Sequence, residues 1–419
     1  MIKKSFFKLS IALLFGIATQ AQDTTQQIIP NRTNSPAQQS KPYIILISAD
    51  GFRYDLADKF NAIHLKQLRA KGVEAAFMKP CYPSVTFPNH YAIITGMYPS
   101  HNGLVDNDFY DENGKGFYSM SKKAEVADSS WYGGKPLWVL AEEQQMLSAS
   151  FYWVASEAAI DGVKPTYYYN YNTKIGIDDR IAAVKQWLQL PEEKRPHFIT
   201  FYFPEVDHEE HLHGVNSKEA EAAVHFVDES VAKMAAMVDS LNLPVSFVFV
   251  SDHGMVDVDT NGMKLPKAID TTKFFVPMND LLLHVYAKNK ADVMPTYLKL
   301  KVEVKDYDVY LEKDIPAKWH YAQSDDKYHR IGDILLVPHF PKVFNIGDKR
   351  TMPGKHGYDN DMPEMHATFY AWGPAFKTQQ KIDGFENINV YPAIAHILGL
   401  TYNPASIDGK LEVLQPVLK

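Results

Sequence analysis

The sequence predicts an α/β fold: a mostly parallel central sheet with helices on both faces and a small inserted α+β subdomain. Three observations predict it. Short apolar runs rich in β-branched residues alternate with amphipathic segments, the pattern of parallel strands joined by crossover helices. Three of those runs end in acidic or imidazole side chains. One stretch, about 258–350, breaks the pattern. In chain order, YIILISA (43–49) is a buried strand ending at Asp50, and HFITFYF (197–203) is a second, leading to Asp207. Between about 216 and 244, Val224, Val227, Val231, Met234, Val238 and Leu241 recur every three to four residues behind Ser217, which predicts a capped helix with one buried face. VSFVFVS (245–251) is the third strand, leading to Asp252 and His253. The segments KVEVKDYDVYL and GDILLVPHF within 258–350 are hairpin-like and highly charged, and are assigned to the insertion. The α/β pattern resumes with ATFYAWGPAF (367–376) and the helix-like YPAIAHILGL (391–400). The main α/β domain is thus expected to run from 41 to 257 and to be completed by 351–419.

Residues 1–21 read as a secretory signal peptide. Lys3, Lys4 and Lys8 precede the apolar run LSIALLFGIA, and small residues at Thr19 and Ala21 suit cleavage after Ala21. A run of roughly ten apolar residues is too short to span a bilayer, which needs about 20, so no stable membrane anchor is expected. The protein is expected to be exported, to a periplasm or beyond. Residues 22–40, rich in Gln, Asn, Thr and Pro, read as a flexible leader. Cys81 is the only cysteine, which excludes an internal disulfide. Loss of residues 1–21 removes three lysines and no acids, taking the formal charge from −7 to −10. That balance argues against long nucleic acids, which need extended basic contacts. A small phosphate ester is compatible with it.

Asp50, Asp207, His211, Asp252, His253 and His356 are six candidate metal ligands drawn from four segments. A mixed oxygen and nitrogen set suits Zn2+ better than Mg2+ or Ca2+, which favour all-oxygen shells. Six are too many for one zinc and about right for two that share an open site. Asp207 and His211 lie four apart and would share one face of a helical turn. His208 and His213, in the same DHEEHLH cluster, stay in contention on spacing alone. Asp252 and His253 are adjacent and can both ligate only where the chain bends, which Gly254 permits.

The stretch 78–107 supplies partners for the metals. Ser84 or Thr86 can serve as a nucleophile, and Asn89 and Asn107 can donate hydrogen bonds to an anion. A hydroxyl is a poor nucleophile unless a base or a cation lowers its pKa.

Taken together, ADGFR around Asp50, PSVTFPNH around Thr86, GLVDN ending in Asn107, EVDHEEHLHG, SDHGM and GKHGYDN resemble the nucleotide pyrophosphatase/phosphodiesterase family of the alkaline phosphatase superfamily. The motifs occur in the family's order, from about residue 42 onward. The resemblance implies an alkaline-phosphatase-like sandwich and two Zn2+ ions. Thr86 would be the nucleophile. One zinc would be held by Asp50, Asp252 and His253 and would also meet Thr86; the other would be held by Asp207, His211 and His356. Asn107 would bond a non-bridging phosphate oxygen, and Phe87 and Tyr171 would clamp the organic group of a small phosphodiester or nucleotide. Glu210 departs from the pattern, since many members have Gly immediately before the second zinc's histidine. The chain resembles the compact bacterial form, a catalytic domain alone.

The implied function is a secreted zinc phosphodiesterase or nucleotide pyrophosphatase that releases a 5'-monophosphate through a phospho-threonine intermediate. The same metals would serve a phosphomonoesterase or a lipid-headgroup phosphodiesterase, and a non-catalytic exported binding protein is the alternative from a different class. Phe87, directly after Thr86, favours an apolar slot for a second ester group. Trp131, Tyr132 and Trp138 suit a pocket or the core equally, and Tyr202 has a side that can face Asp207.

Overall fold

The computed structural model describes residues 24–277, 279–347 and 351–419, so the expected signal peptide lies outside the described residues. Among the described residues, nine strands form the central sheet: β1 (Gln27–Ile28), β2 (Tyr43–Ala49), β3 (Val73–Ala75), β4 (Ser148–Phe151), β5 (Tyr167–Tyr169), β6 (Phe198–Phe203), β7 (Val245–Val250), β8 (Phe369–Trp372) and β9 (Gln380–Ile382). Their spatial order is β1-β5-β4-β6-β2-β7-β8-β3-β9. The contiguous block β5-β4-β6-β2-β7 is parallel throughout. Antiparallel pairing enters at β1 and on both sides of β8.

Every residue of β2 and β7 is buried, as expected where both faces of a sheet are covered. The period of two sorts their side chains into separate cores. Ile44, Leu46, Val248 and Val250 face a core that includes Ile93 and Ile94 of α1 (Thr86–Thr95), Trp138 and Leu398. Tyr43, Ile45, Ile47, Phe247 and Phe249 face the opposite core with Val224, Val227, Val231 and Met234. Those four come from the expected amphipathic helix, Lys218–Asp239, whose cap is Ser217: its side chain accepts from Ala220 N–H at 3.0 Å. Trp131, Tyr132 and Trp138 belong to the first core.

Two expectations are corrected. Residues 24–40, whose composition suggested a flexible leader, are tied down. β1 pairs with β5, Arg32 Nη1 donates to Lys164 O at 2.7 Å, and the buried Asn34 donates to Glu192 O and Arg195 O while accepting from Leu147 N–H. A few side-chain hydrogen bonds there outweigh the scarcity of apolar residues. Second, KVEVKDYDVYL is not all hairpin. Its first residues finish a helix, Val293–Glu303, and only Tyr307–Leu311 is a strand.

That strand belongs to a separate four-stranded antiparallel sheet ordered Phe274–Phe275, Leu283–Ala287, Ile334–Pro338, Tyr307–Leu311. One face holds its own core, with Leu283, Val285, Val309, Leu336 and Leu300 from the helix. Leu335 and Val337 alternate onto the core shared with α1, which sets this sheet against the segment carrying Thr86. Among the described residues, no helix is long and apolar enough to cross a membrane.

Candidate active site

Three neighbouring parallel strands, β6, β2 and β7, deliver the chemistry at their C-terminal ends, where open α/β sheets place ligands. Asp50 follows β2, and Asp252 and His253 follow β7. After β6 the chain enters α2 (Glu205–His213), which puts Asp207 and His211 one turn apart, with Oδ1 and Nε2 3.3 Å from each other. Gly51 makes this convergence possible: it adopts φ +69°, and a Cβ there would lie 3.0 Å from Asp207 Cα. His356 arrives from the segment beginning at Gly354, which lies so close to α2 that a Cβ on Gly354 would sit 2.1 Å from Glu210 O.

The three imidazoles are oriented alike. Nδ1 of His211, His253 and His356 donates to the backbone carbonyls of Gly354 (2.8 Å), Gly254 (2.9 Å) and Ser84 (3.0 Å). Each ring therefore turns Nε2 inward, the arrangement that fixes a metal-ligating histidine. His253 Nε2 lies 3.0 Å from Asp252 Oδ2 and 3.5 Å from Asp50 Oδ1. His356 Nε2 lies 3.1 Å from His211 Nε2 and 3.6 Å from Asp207 Oδ1.

The carboxylates follow the same logic. Asp50 Oδ2 accepts from Tyr202 OH at 2.5 Å, and Asp252 Oδ1 accepts from Gly51 N–H at 3.1 Å. The buried atoms Asp50 Oδ1, Asp252 Oδ2 and Asp207 Oδ1 have no hydrogen-bond donor, although imidazole nitrogens stand beside them. An unpaired buried carboxylate oxygen is costly unless a cation meets it. Burial and the charges of Asp252 and Asp207 push the Asp50 carboxyl well above its usual range. Burial pushes Asp252 the same way, but the His253 and His90 rings outweigh it and hold that carboxyl well below. Burial and then the neighbouring His253 depress His356 well below an ordinary imidazole.

Asp50, Asp252 and His253 can bring one donor atom each within 4.8 Å of one another, as can Asp207, His253 and His356. His253 falls in both groups because it stands between them, its ring stacked on that of His356 at 3.6 Å. Its closer contact with Asp252 assigns it to the first group, and His211 completes the second. Inward lone pairs, oxygens without donors and a mixed N/O set fit bound metal ions. His208 is exposed and His213 pairs with Glu209 at 3.5 Å, so neither joins the cluster. Glu210 is buried at 1% exposure and turned elsewhere; burial, and then Asp207 and Asp257 against the opposing pull of Arg53 and Lys59, hold its carboxyl well above the usual range.

Thr86 is the first residue of α1, and its Oγ1 lies 3.2 Å from His253 Nε2. A helix N-terminus suits a phosphate, because its free N–H groups and dipole favour negative charge. Ser84 is removed from contention: it is buried and its hydroxyl donates to Tyr358 O at 2.7 Å. Asn89 is likewise structural, its amide spent on Cys81 N–H, Pro83 O and Val85 O. Asn107 instead accepts from the N–H of Phe87, the residue after Thr86, through Oδ1 at 2.9 Å, with Nδ2 as its donor end.

A cavity of about 400 Å³ opens on this site and brings Asp50, Thr86, Phe87, Tyr171 and Asp207 to one surface. Met120, Lys123, Trp153 and Glu157 are also among its walls. Met120, Trp153 and Glu157 come from connecting segments and Lys123 opens a short helix, Lys123–Ala127, so no periodic pattern marked them. His90 was also missed; its ring lies 3.3 Å from Asp252 Oδ2 and packs edge-on to Tyr202 at 5.3 Å. Its position four residues after Thr86 on a buried helix was the signal available. Tyr202 does reach the site, through Asp50.

Residues 44–359 match the family model described as type I phosphodiesterase / nucleotide pyrophosphatase. Ectonucleotide pyrophosphatase/phosphodiesterase family member 1 of Mus musculus is 34% identical over 406 residues, covering 92% of this chain and 43% of that protein. A venom phosphodiesterase of Crotalus durissus collilineatus is 32% identical over 402 residues, covering 92% of this chain and 48% of its own. The chain spans less than half the length of these relatives. The solved structure of murine ectonucleotide pyrophosphatase/phosphodiesterase 5 superposes with a TM-score of 0.83 at 25% identity, over 90% of this chain and all of that one. An inactive threonine-to-alanine variant of that murine protein has been solved in complex with AMP.

Proposed function

The chain belongs to the type I phosphodiesterase / nucleotide pyrophosphatase family, and on that premise we propose that it is a zinc-dependent hydrolase of nucleotide-type phosphodiesters and pyrophosphates. The observation that carries the reading is the convergence of three donor-free carboxylate oxygens and three inward imidazole nitrogens around the Thr86 hydroxyl. Asp50, Asp252, His253 and Thr86 would hold one zinc, and Asp207, His211 and His356 the other. When bound, the pair would supply positive charge at the attacking and the departing oxygen.

The chain's own residues do the rest. Thr86 Oγ1 forms a bond to phosphorus as the bond to the leaving oxygen breaks, giving a phospho-threonine; water then cleaves that ester and releases a 5'-monophosphate. Asn107 Nδ2 donates to a non-bridging oxygen, where charge rises in the transition state and each fixed donor is worth about 2.7 to 4 kcal/mol. Tyr202 and Gly51 N–H hold Asp50 and Asp252 in place. Phe87, Met120, Trp153 and Tyr171 offer an apolar slot for the group on the retained side of the phosphate, with Glu157 and Lys123 as polar contacts. That slot favours a diester over a monoester. The AMP bound to the inactive threonine variant of the murine relative is consistent with both assignments. Export with cleavage near Ala21 is part of the same reading.

The test is a product assay on zinc-loaded protein with a nitrophenyl ester of thymidine 5'-phosphate, a dinucleoside pyrophosphate, lysophosphatidylcholine and nitrophenyl phosphate. The nucleotide substrates are expected to exceed the others in kcat/KM by at least about tenfold, or 1.4 kcal/mol, and to yield the 5'-monophosphate. Preference for nitrophenyl phosphate would assign the site to a phosphomonoesterase instead.

A further inference from the structure

The segment that ends at Asn107 is held by a set of buried polar contacts from the second sheet and the loops around it. Tyr321 OH donates to Val105 O at 2.7 Å. Asp106, only 4% exposed, accepts through Oδ1 from Asn107 N–H at 2.6 Å. Its Oδ2 accepts from Asn279 Nδ2 and from His284 Nε2, both at 2.9 Å. His284 is fully buried on the strand Leu283–Ala287 and donates from Nδ1 to Ile331 O at 2.7 Å. Both ring nitrogens face oxygens, so the ring is held at both ends, between the Ile331 carbonyl and the Asp106 carboxylate.

A carboxylate and an imidazole sealed between two sheets add little net stability, because desolvation offsets most of their attraction. Their geometric consequence is larger. Asp106 fixes the peptide plane that leads into Asn107, Met120 N–H donates to Asn107 O at 2.9 Å, and Phe87 N–H takes Oδ1. The remaining freedom of Asn107 is the aim of Nδ2. A donor matched to a developing charge loses its effect with small displacements.

We propose that Asp106 and His284 are positioning residues for Asn107, through which the second sheet fixes the angle at which the Asn107 amide meets the phosphate. The proposal rests on the role given to Asn107 above. It assigns the second sheet a part in catalysis with no residue of its own at the phosphate.

A double-mutant cycle tests it on the full-length, zinc-loaded protein with the nitrophenyl ester of thymidine 5'-phosphate. His284→Gln is expected to lower kcat about tenfold with KM within about twofold and zinc content unchanged. In an Asn107→Ala background the same substitution is expected to change kcat by less than about twofold, since the group it positions is gone. Asn279→Ala removes from a half-buried site the Nδ2 that bonds Asp106 Oδ2 and Asp108 O and guards against a misfolded His284 variant; its smaller loss should vanish in the same background. Equal losses in both backgrounds would overturn the proposal and make the pair scaffold only. A normal kcat for Asn107→Ala alone would overturn the Asn107 assignment and this proposal with it, while leaving the Thr86 and zinc assignments standing.

Discussion

Thr86→Ala is expected to lower kcat on a nucleotide nitrophenyl ester by on the order of 10⁴-fold or more, the scale seen when a covalent nucleophile is removed and the rest of the machinery is left. The geometry makes the loss specific. Thr86 opens α1 with its hydroxyl 3.2 Å from His253 Nε2, and among the described residues the competing hydroxyl, Ser84, is already bonded to Tyr358 O. Alanine keeps the helix start, so binding should survive: calorimetric titration with AMP is expected to give a Kd within about threefold of wild type. Thr86→Ser, which keeps the hydroxyl, should retain most of the activity. Turnover by Thr86→Ala at the wild-type rate would mean that water attacks directly and that the covalent scheme is wrong.

Metal removal is the second large effect. Three carboxylates and three imidazoles share one buried space, and Asp50 is pushed up by burial and by its two acidic neighbours. Two cations held there, as proposed, would relieve that repulsion and would supply several kcal/mol at the developing charges. Chelation is expected to lower activity by at least about 10³-fold and to lower the thermal midpoint, because a ligand that binds only the folded state stabilises it by about 2.7 kcal/mol at a hundredfold excess over Kd. Added zinc should restore both, at two ions per chain by elemental analysis. His211→Ala should retain one ion, whereas His208→Ala, which changes an exposed side chain outside the cluster, should retain two. A fully active chelated protein would contradict the metal assignment.

The sheet was legible where physics writes a local signal. β2, β6 and β7 are apolar runs because they are covered on both faces, and the acids that close them mark the sheet's C-terminal edge. The Asp207–His211 pair was legible because i and i+4 meet on a helix. What escaped depends on contacts between distant segments. Nothing near Asn34 announces the three backbone groups it bonds, over a hundred residues away in sequence. Asn89 and Asn107 look alike in sequence, and only the packing of α1 shows that one is spent on Cys81 N–H and Pro83 O. Asp106 and His284 are 178 residues apart, with no pattern to link them. His208 was kept in contention by spacing and set apart by its exposure.

The central claim, that Thr86 carries the phosphoryl group before water does, is tested most directly by stereochemistry at phosphorus. A nitrophenyl ester of thymidine 5'-phosphorothioate of one configuration, hydrolysed in isotopically labelled water, gives a chiral product. Attack by Thr86 followed by attack of water is two in-line displacements, so the account predicts net retention. Net inversion would show a single displacement by water and contradict it.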